Sequence, residues 1–261
     1  MSGKMIGKML GNVVLVGAGP GDPELLTLAA VRALSDADVV LIDALVNRAV
    51  LEHTKPSTRV IEVGKRGGAR STPQAFIERL MIQEARAGQR VVRLKGGDPF
   101  LFGRGGEESA HLRAAGIDVE VIPGITSGLA APLAAGISVT HRDVSPGVIF
   151  VTGHEKDGAA ERIDWHALVA SGLTLVVYMG VANAARLQEK LLAAGMDPAT
   201  PLAAISNATL AEQRIATGTA ATLRATIESN AIVSPAILVI GEVARTAAAQ
   251  RLAEFARAAS A

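Results

Sequence analysis

The stretch Gly17-Ala18-Gly19-Pro20-Gly21-Asp22-Pro23 lies between an apolar run, Val13-Val14-Leu15-Val16, and a helix-like stretch from Glu24. Strand, tight loop and helix start in that order define the repeating unit of open α/β sheets, and the loop falls at the ligand end of its strand. The layout is that of a dinucleotide fingerprint, but the chemistry differs. The spacing is G-x-G-x-G, and Asp22 stands where G-x-x-G would place its last glycine. Pro20 has no N–H to offer a phosphate. The Asp22 carboxylate opposes a pyrophosphate where the amides and helix dipole would otherwise attract one. The loop therefore suits close backbone approach by a ligand other than a pyrophosphate.

Two further loops repeat the pattern. Val91-Val92-Arg93-Leu94-Lys95 reads as a buried strand that runs into Gly96-Gly97-Asp98-Pro99-Phe100-Leu101-Phe102-Gly103-Arg104-Gly105-Gly106-Glu107-Glu108. Asp118-Val119-Glu120-Val121-Ile122 runs into Pro123-Gly124-Ile125-Thr126-Ser127. Ligands of open α/β sheets sit in the crevice at the carboxyl ends of the strands, which is where such loops lie.

The pattern predicts strands at 13–17, 38–42, 59–63, 91–95 and 118–122, with helices at 24–35, 46–53, 73–87 and 106–115. Thr72 and Pro73 read as N-cap and N1, and Gly88 and Gly116 as helix stops. After an apolar, buried helix at 126–136, strands are predicted at 147–152, 173–179, 201–205, 213–217 and 236–241. Helices at 164–170, 183–194 and 219–229 and an Ala-rich tail helix from about 244 complete the pattern. The expectation is two α/β domains with mainly parallel sheets and a ligand cleft between them. Their bounds are read as 12–124 and 125–245, with a polar N-terminal tail at 1–11 and the helical tail at 246–261.

Composition narrows the function classes. The chain has 261 residues, 49% hydrophobic and 20% charged, which supports large cores. A net charge of +1, with no basic block interleaved with aromatics, argues against a nucleic-acid surface. No run of about 18 apolar residues exists, so no transmembrane helix is expected. There are no cysteines, which excludes disulfides and thiolate metal sites and is compatible with a reducing cytoplasm. His53, His111, His141, His154 and His166 lack metal-ligand spacing, so no metal site is expected.

The loops also carry a resemblance. VGAGPGDPELLT at 16–27, VGKR at 63–66, VRLKGGDPFLFGRGGEE at 92–108, VIPGITSGLAAPLAAGISVTHRD at 121–143, VTGH at 151–154 and SPAILVIGEV at 234–243 resemble the tetrapyrrole methylases. Within that family they resemble the branch that methylates uroporphyrinogen III. The resemblance covers about 12–245. It implies transfer of two methyl groups, one at a time, from S-adenosyl-L-methionine to carbon, giving precorrin-2 and S-adenosyl-L-homocysteine. It also implies a homodimer.

The resemblance implies cofactor contacts at Pro20, Gly96, Gly97, Asp98, Leu101, Thr126, Ser127, Met179 and Ala208. The residues themselves leave an alternative open at Asp98, which also reads as a cap with Pro99 at N1. Met179 ends an apolar strand, where methionine is usually core packing. The resemblance further implies Asp43 as proton acceptor and Lys65 as proton donor, with Arg104 an alternative base. Arg104, between Gly103 and Gly105-Gly106, sits in a loop too open to bury it for packing. Glu107 begins the next helix, where a carboxylate also complements the dipole. Lys65, Arg66, Arg70, Arg93, Lys95 and Arg104 form cation clusters suited to a substrate with eight carboxylates, or to a solvated surface.

The chain departs from the family pattern at Ile42 (usually Tyr), Arg70 (usually His) and Glu78 (usually Asn), all expected near the substrate. Rival readings are methylation of a later corrin precursor, a Rossmann oxidoreductase, and a non-catalytic tetrapyrrole-binding protein.

Overall fold

The computed structural model of the chain describes residues 11–64, 72–154 and 162–245. The chain divides into two compact units, one ending at Thr126 and the other beginning at Ser127.

The first unit is built on a fully parallel sheet. Its strands are β1 (Asn12–Gly17), β2 (Val39–Ile42), β3 (Arg59–Glu62), β4 (Val91–Lys95) and β5 (Asp118–Ile122), in the order β3-β2-β4-β1-β5. The central strands β2, β4 and β1 are buried and mostly apolar, as a sheet covered on both faces requires, with Arg93 and Lys95 of β4 the charged exceptions. Side chains alternate between faces along each strand. Val14, Val16, Val40, Ile42, Val92 and Leu94 pack on α1 (Leu28–Asp36). Val13, Leu15, Val39, Leu41 and Val91 pack on α2 (Gln74–Arg86) and α3 (Gly105–Ala114). Because the strands are parallel, the segments after β1, β2, β4 and β5 emerge on one rim.

Three helix starts differ from expectation. The chain after the first loop makes a short 3-10 turn at Pro23–Leu25, and α1 waits until Leu28. Thr27 decides this: its Oγ1 accepts the Ala30 N–H at 3.1 Å and so caps α1 itself. The stretch expected as a helix at 46–53 is a 3-10 helix, Arg48–His53, opened by Asn47, whose Oδ1 accepts the Ala49 N–H at 3.0 Å. Pro73, not Thr72, is the cap of α2, and Gln74 is its first residue.

The second unit corrects the expectation of a mainly parallel sheet. Its strands are β6 (Val148–Thr152), β7 (Thr174–Tyr178), β8 (Pro201–Ser206), β9 (Arg214–Thr219) and β10 (Ala236–Ile240), in the order β6-β7-β10-β8-β9. Only β6 and β7 run parallel; β10 lies antiparallel to both β7 and β8, and β8 to β9. The last strand enters between two earlier ones in the opposite direction, a choice that apolar strand sequences do not encode. One face packs on α5 (Trp165–Ala170), α6 (Ala184–Ala193) and α7 (Leu223–Ser229). The other packs on α4 (Ser127–Ala134). The helix expected to be buried throughout is buried on one side only: Ala130, Ala131 and Pro132 face the core, while Leu129 and Leu133 are exposed.

Candidate cofactor and substrate site

Three glycines converge on the rim of the first unit, and the reason is backbone against backbone. A Cβ on Gly17 would lie 2.6 Å from the Gly97 carbonyl oxygen, and one on Gly124 would collide with that same oxygen. Gly19 and Gly97 exchange two hydrogen bonds, Gly97 N–H to Gly19 O at 2.7 Å and Gly19 N–H to Gly97 O at 3.2 Å. The loops after β1, β4 and β5 are thus fused into one surface. Gly17 and Gly124 serve this fusion, where the sequence suggested approach to a ligand. Gly96 is different. Its nearest neighbour to an added Cβ would be Leu45 Cβ at 3.6 Å, an ordinary contact.

Asp98 locks the surface. Its Oδ1 accepts the Phe100 N–H at 2.8 Å and its Oδ2 the Gly124 N–H at 3.1 Å. The capping alternative is realised as a local turn, but α3 starts later, at Gly105. Asn47 adds a tie, its Nδ2 donating to the Gly21 carbonyl at 2.9 Å. Pro20 and Leu101 are half-buried on the same rim, and Thr126 ends the unit half-buried.

Asp43 follows β2, its N–H bonded to the Leu94 carbonyl at 3.1 Å. It lines a hollow with Ile42, Ala44, Val46, Arg48, Glu62 and Gly64. Behind it lies a cluster of charges. Arg93 Nη2 bonds Asp43 Oδ1 at 2.6 Å, and Arg93 Nε bonds Glu108 Oε1 at 3.3 Å. Lys95 Nζ is 3.1 Å from Glu108 Oε2 and 3.8 Å from Asp43 Oδ2. Gln74 Nε2 completes Glu108 Oε1 at 2.8 Å. Arg93, Lys95 and Glu108 are buried; Asp43 keeps 29% of its side chain exposed. Burial holds the Lys95 ammonium below its ordinary range, aided by Arg93 and opposed by Glu108 and Asp43.

This overturns the reading of Arg93 and Lys95 as cations for substrate carboxylates. They point from β4 under α2 and α3 and are spent on internal partners. Glu108 was missed, although two cations on a buried central strand demanded a buried carboxylate. Lys65, Arg66 and Arg70 lie outside the described residues.

Arg104 stays on the surface, with 54% of its side chain exposed. Its backbone is left-handed, φ 60°, at the cap of α3. The guanidinium donates twice to Glu107 Oε2, from Nε at 3.0 Å and Nη2 at 2.6 Å. That bond pushes Arg104 further above the usual arginine range and holds Glu107 below the usual carboxylate range. A guanidinium held more firmly protonated has no free lone pair to take a proton, so the geometry suits Arg104 to holding an anion rather than to acting as a base. The first turn of α3 therefore faces two ways, Glu107 toward Arg104 and Glu108 toward Arg93 and Lys95.

The two departures among the described residues, Ile42 and Glu78, do not lie together. Ile42 is buried in the core beside α1, while Glu78 is buried on α2 and bonded to His111 Nδ1 at 3.1 Å. They occupy opposite faces of the sheet.

In the second unit, Ser127, Met179 and Ala208 gather at one end of the sheet. Both β7 and β8 end there, because both pair antiparallel with β10 beside Ala236 and Ile237. Met179 has φ 56° and is 46% exposed, so it is not core packing. Ala208 is buried between Asn207 and Thr209, both left-handed at φ 47° and 69°. Such conformations cost free energy in non-glycine residues and concentrate at functional sites. Ser127 opens α4, whose Gly128 N–H donates to the Tyr178 hydroxyl at 2.6 Å.

The family model described as Tetrapyrrole (Corrin/Porphyrin) Methylases matches residues 12–224. The chain is 58% identical, over 93% of its length and 98% of the relative's, to a uroporphyrinogen-III C-methyltransferase of Pseudomonas aeruginosa. It is 49% identical over 94% of its length to siroheme synthase 2 of Aeromonas hydrophila, of which it spans 51%. Among solved structures, uroporphyrin-III C-methyl transferase from Thermus thermophilus complexed with S-adenyl homocysteine superposes with a TM-score of 0.76 at 42% identity, covering 90% of this chain and 100% of that one. The chain belongs to the tetrapyrrole methylase family.

Proposed function

We propose that this chain is an S-adenosyl-L-methionine-dependent C-methyltransferase that converts uroporphyrinogen III to precorrin-2 in two successive methylations. The observation that carries the structural side is the rim of the first unit. Asp43, Gly96–Asp98 and the start of α3 with Arg104 all lie at the carboxyl ends of one parallel sheet. The relatives' activity, matched along nearly the whole chain, supports the substrate.

The residues fit the methyl donor. Gly96 leaves the backbone open beside Leu45, and exposed Met179 stands at a strand end with a strained backbone. We assign donor binding to Pro20, Gly96, Gly97, Asp98, Leu101, Thr126, Ser127, Met179 and Ala208. When bound, the donor supplies an electrophilic methyl group and leaves as a neutral thioether. The protein's work is alignment, exclusion of water and removal of one proton from the alkylated carbon skeleton. Asp43 takes that proton on its half-exposed carboxylate. Arg104 binds a substrate carboxylate, with Glu107 holding its fork ready, and Lys65 serves as proton donor. We further propose a homodimer, which light scattering at micromolar concentration tests.

Turnover of labelled methyl donor with uroporphyrinogen III tests the reading. A dimethylated product supports it, whereas binding of tetrapyrrole without turnover would make the chain a carrier.

A further inference from the structure

Arg93, Lys95 and Glu108 are buried and charged, yet none of them is exposed to a ligand on the rim. Buried ion pairs of this kind seldom stabilise a fold more than apolar side chains of the same volume would. Two cations and one anion in the interior therefore ask for another role. Their geometry gives one. The cluster runs from Glu108, fully buried on α3, through Arg93 and Lys95 on β4, and ends on Asp43, the member that reaches the surface.

We propose that Arg93, Lys95 and Glu108 form a positioning device for Asp43, fixing the direction and the ionic surroundings of the carboxylate that takes the proton. This rests on the reading of Asp43 as proton acceptor. Arg93 holds Oδ1 at 2.6 Å, and Lys95 stands 3.8 Å behind Oδ2. Glu108 engages both cations at 3.3 and 3.1 Å, and Gln74 holds Glu108. Glu108 sets how strongly the two cations bear on Asp43. With Glu108 removed, their charge is directed at Asp43 alone. With Lys95 removed, Glu108 turns its charge on Arg93 and the pull on Asp43 weakens. Burial lowers the basicity of Lys95, Arg93 acts in the same direction, and Glu108 and Asp43 oppose it. Among the described residues, Arg48 and Glu62 also line the hollow beside Asp43 and pair with each other. Near the cluster, Glu107 is engaged by Arg104 and Glu78 by His111.

The test is the pH profile of kcat/KM for methyl transfer to uroporphyrinogen III in Lys95→Met, Glu108→Gln and Arg93→Lys. The device predicts opposite displacements of the acidic limb: to higher pH in Lys95→Met and to lower pH in Glu108→Gln. It predicts a fall in kcat of at least tenfold in Arg93→Lys, which keeps the charge but cannot fork between two carboxylates. Affinity for S-adenosylhomocysteine should stay within about threefold in all, since the loop glycines are untouched. Any one variant that folds is decisive by itself, and retained S-adenosylhomocysteine binding identifies those that do. Loss of melting temperature with unchanged kcat and an unmoved limb would make the cluster structural and overturn the proposal. Asp43→Asn separates the two readings. If it keeps wild-type kcat, Asp43 is not the acceptor; if it is inactive while the three variants behave as wild type, Asp43 stands and the device falls.

Discussion

The Asp98 carboxylate joins two loops that are 26 residues apart in sequence, accepting the Phe100 N–H with one oxygen and the Gly124 N–H with the other. Its part in the proposed donor site is therefore partly architectural, because it holds the backbone of that rim in place.

Asp98→Ala should weaken S-adenosylhomocysteine by about 1–3 kcal/mol, the order of magnitude of losing hydrogen bonds to a charged acceptor. Melting temperature should fall with it, because the Gly124 N–H loses its partner. Calorimetry and a thermal melt on the same sample check both; unchanged affinity would remove Asp98 from the site.

The glycines divide into two kinds, and substitution should reveal them. Gly124→Ala drives a methyl into the Gly97 carbonyl, so it should cost about 1–3 kcal/mol of stability. Gly96→Ala meets only an ordinary contact with Leu45, so the fold should hold while donor affinity falls at least tenfold. Equal effects of the two on melting temperature would contradict the division.

Arg104→Lys keeps the charge and loses the planar fork. Methyl transfer should fall at least tenfold, about 1.4 kcal/mol of transition-state stabilisation, with donor affinity within a factor of a few. Wild-type kcat/KM in Arg104→Ala would return this residue to the solvated surface.

Lys95 gives a pH dependence whose sign is fixed. Its folded-state basicity is lowered by burial from the ordinary 10.5. Between the lowered value and 10.5 the unfolded chain binds more protons, so stability rises with pH across that interval. The wild type should therefore gain stability relative to Lys95→Met as pH is raised toward 10.5. Denaturant melts of both proteins at several pH values check this, and a difference that shrinks with rising pH would reverse the assignment.

Much of this was legible in the chain. Most strands lie on apolar runs, β3 (Arg59–Glu62) and β9 (Arg214–Thr219) being the exceptions, and the rim follows from three runs that end in small-residue loops. Strand direction in the second sheet was not legible, because Ala236–Ile240 reads the same whichever way it enters. The glycines were legible as close approaches, but not that Gly17 and Gly124 approach backbone. Arg93 and Lys95 were read as cations for substrate carboxylates or for a solvated surface, because a five-residue strand does not announce its partners. Glu108 lies on a helix turn one residue from Glu107, and only the fold sends the two in opposite directions.

The proposed reaction places two methyl groups on one tetrapyrrole. Incubation of uroporphyrinogen III with methyl-labelled S-adenosylmethionine, followed by mass analysis of the product, shows whether it does. A monomethylated intermediate is expected, followed by a dimethylated product with two labels per ring. Donor binding with no label transferred to uroporphyrinogen III, or transfer only to a more highly methylated corrin precursor, would contradict it.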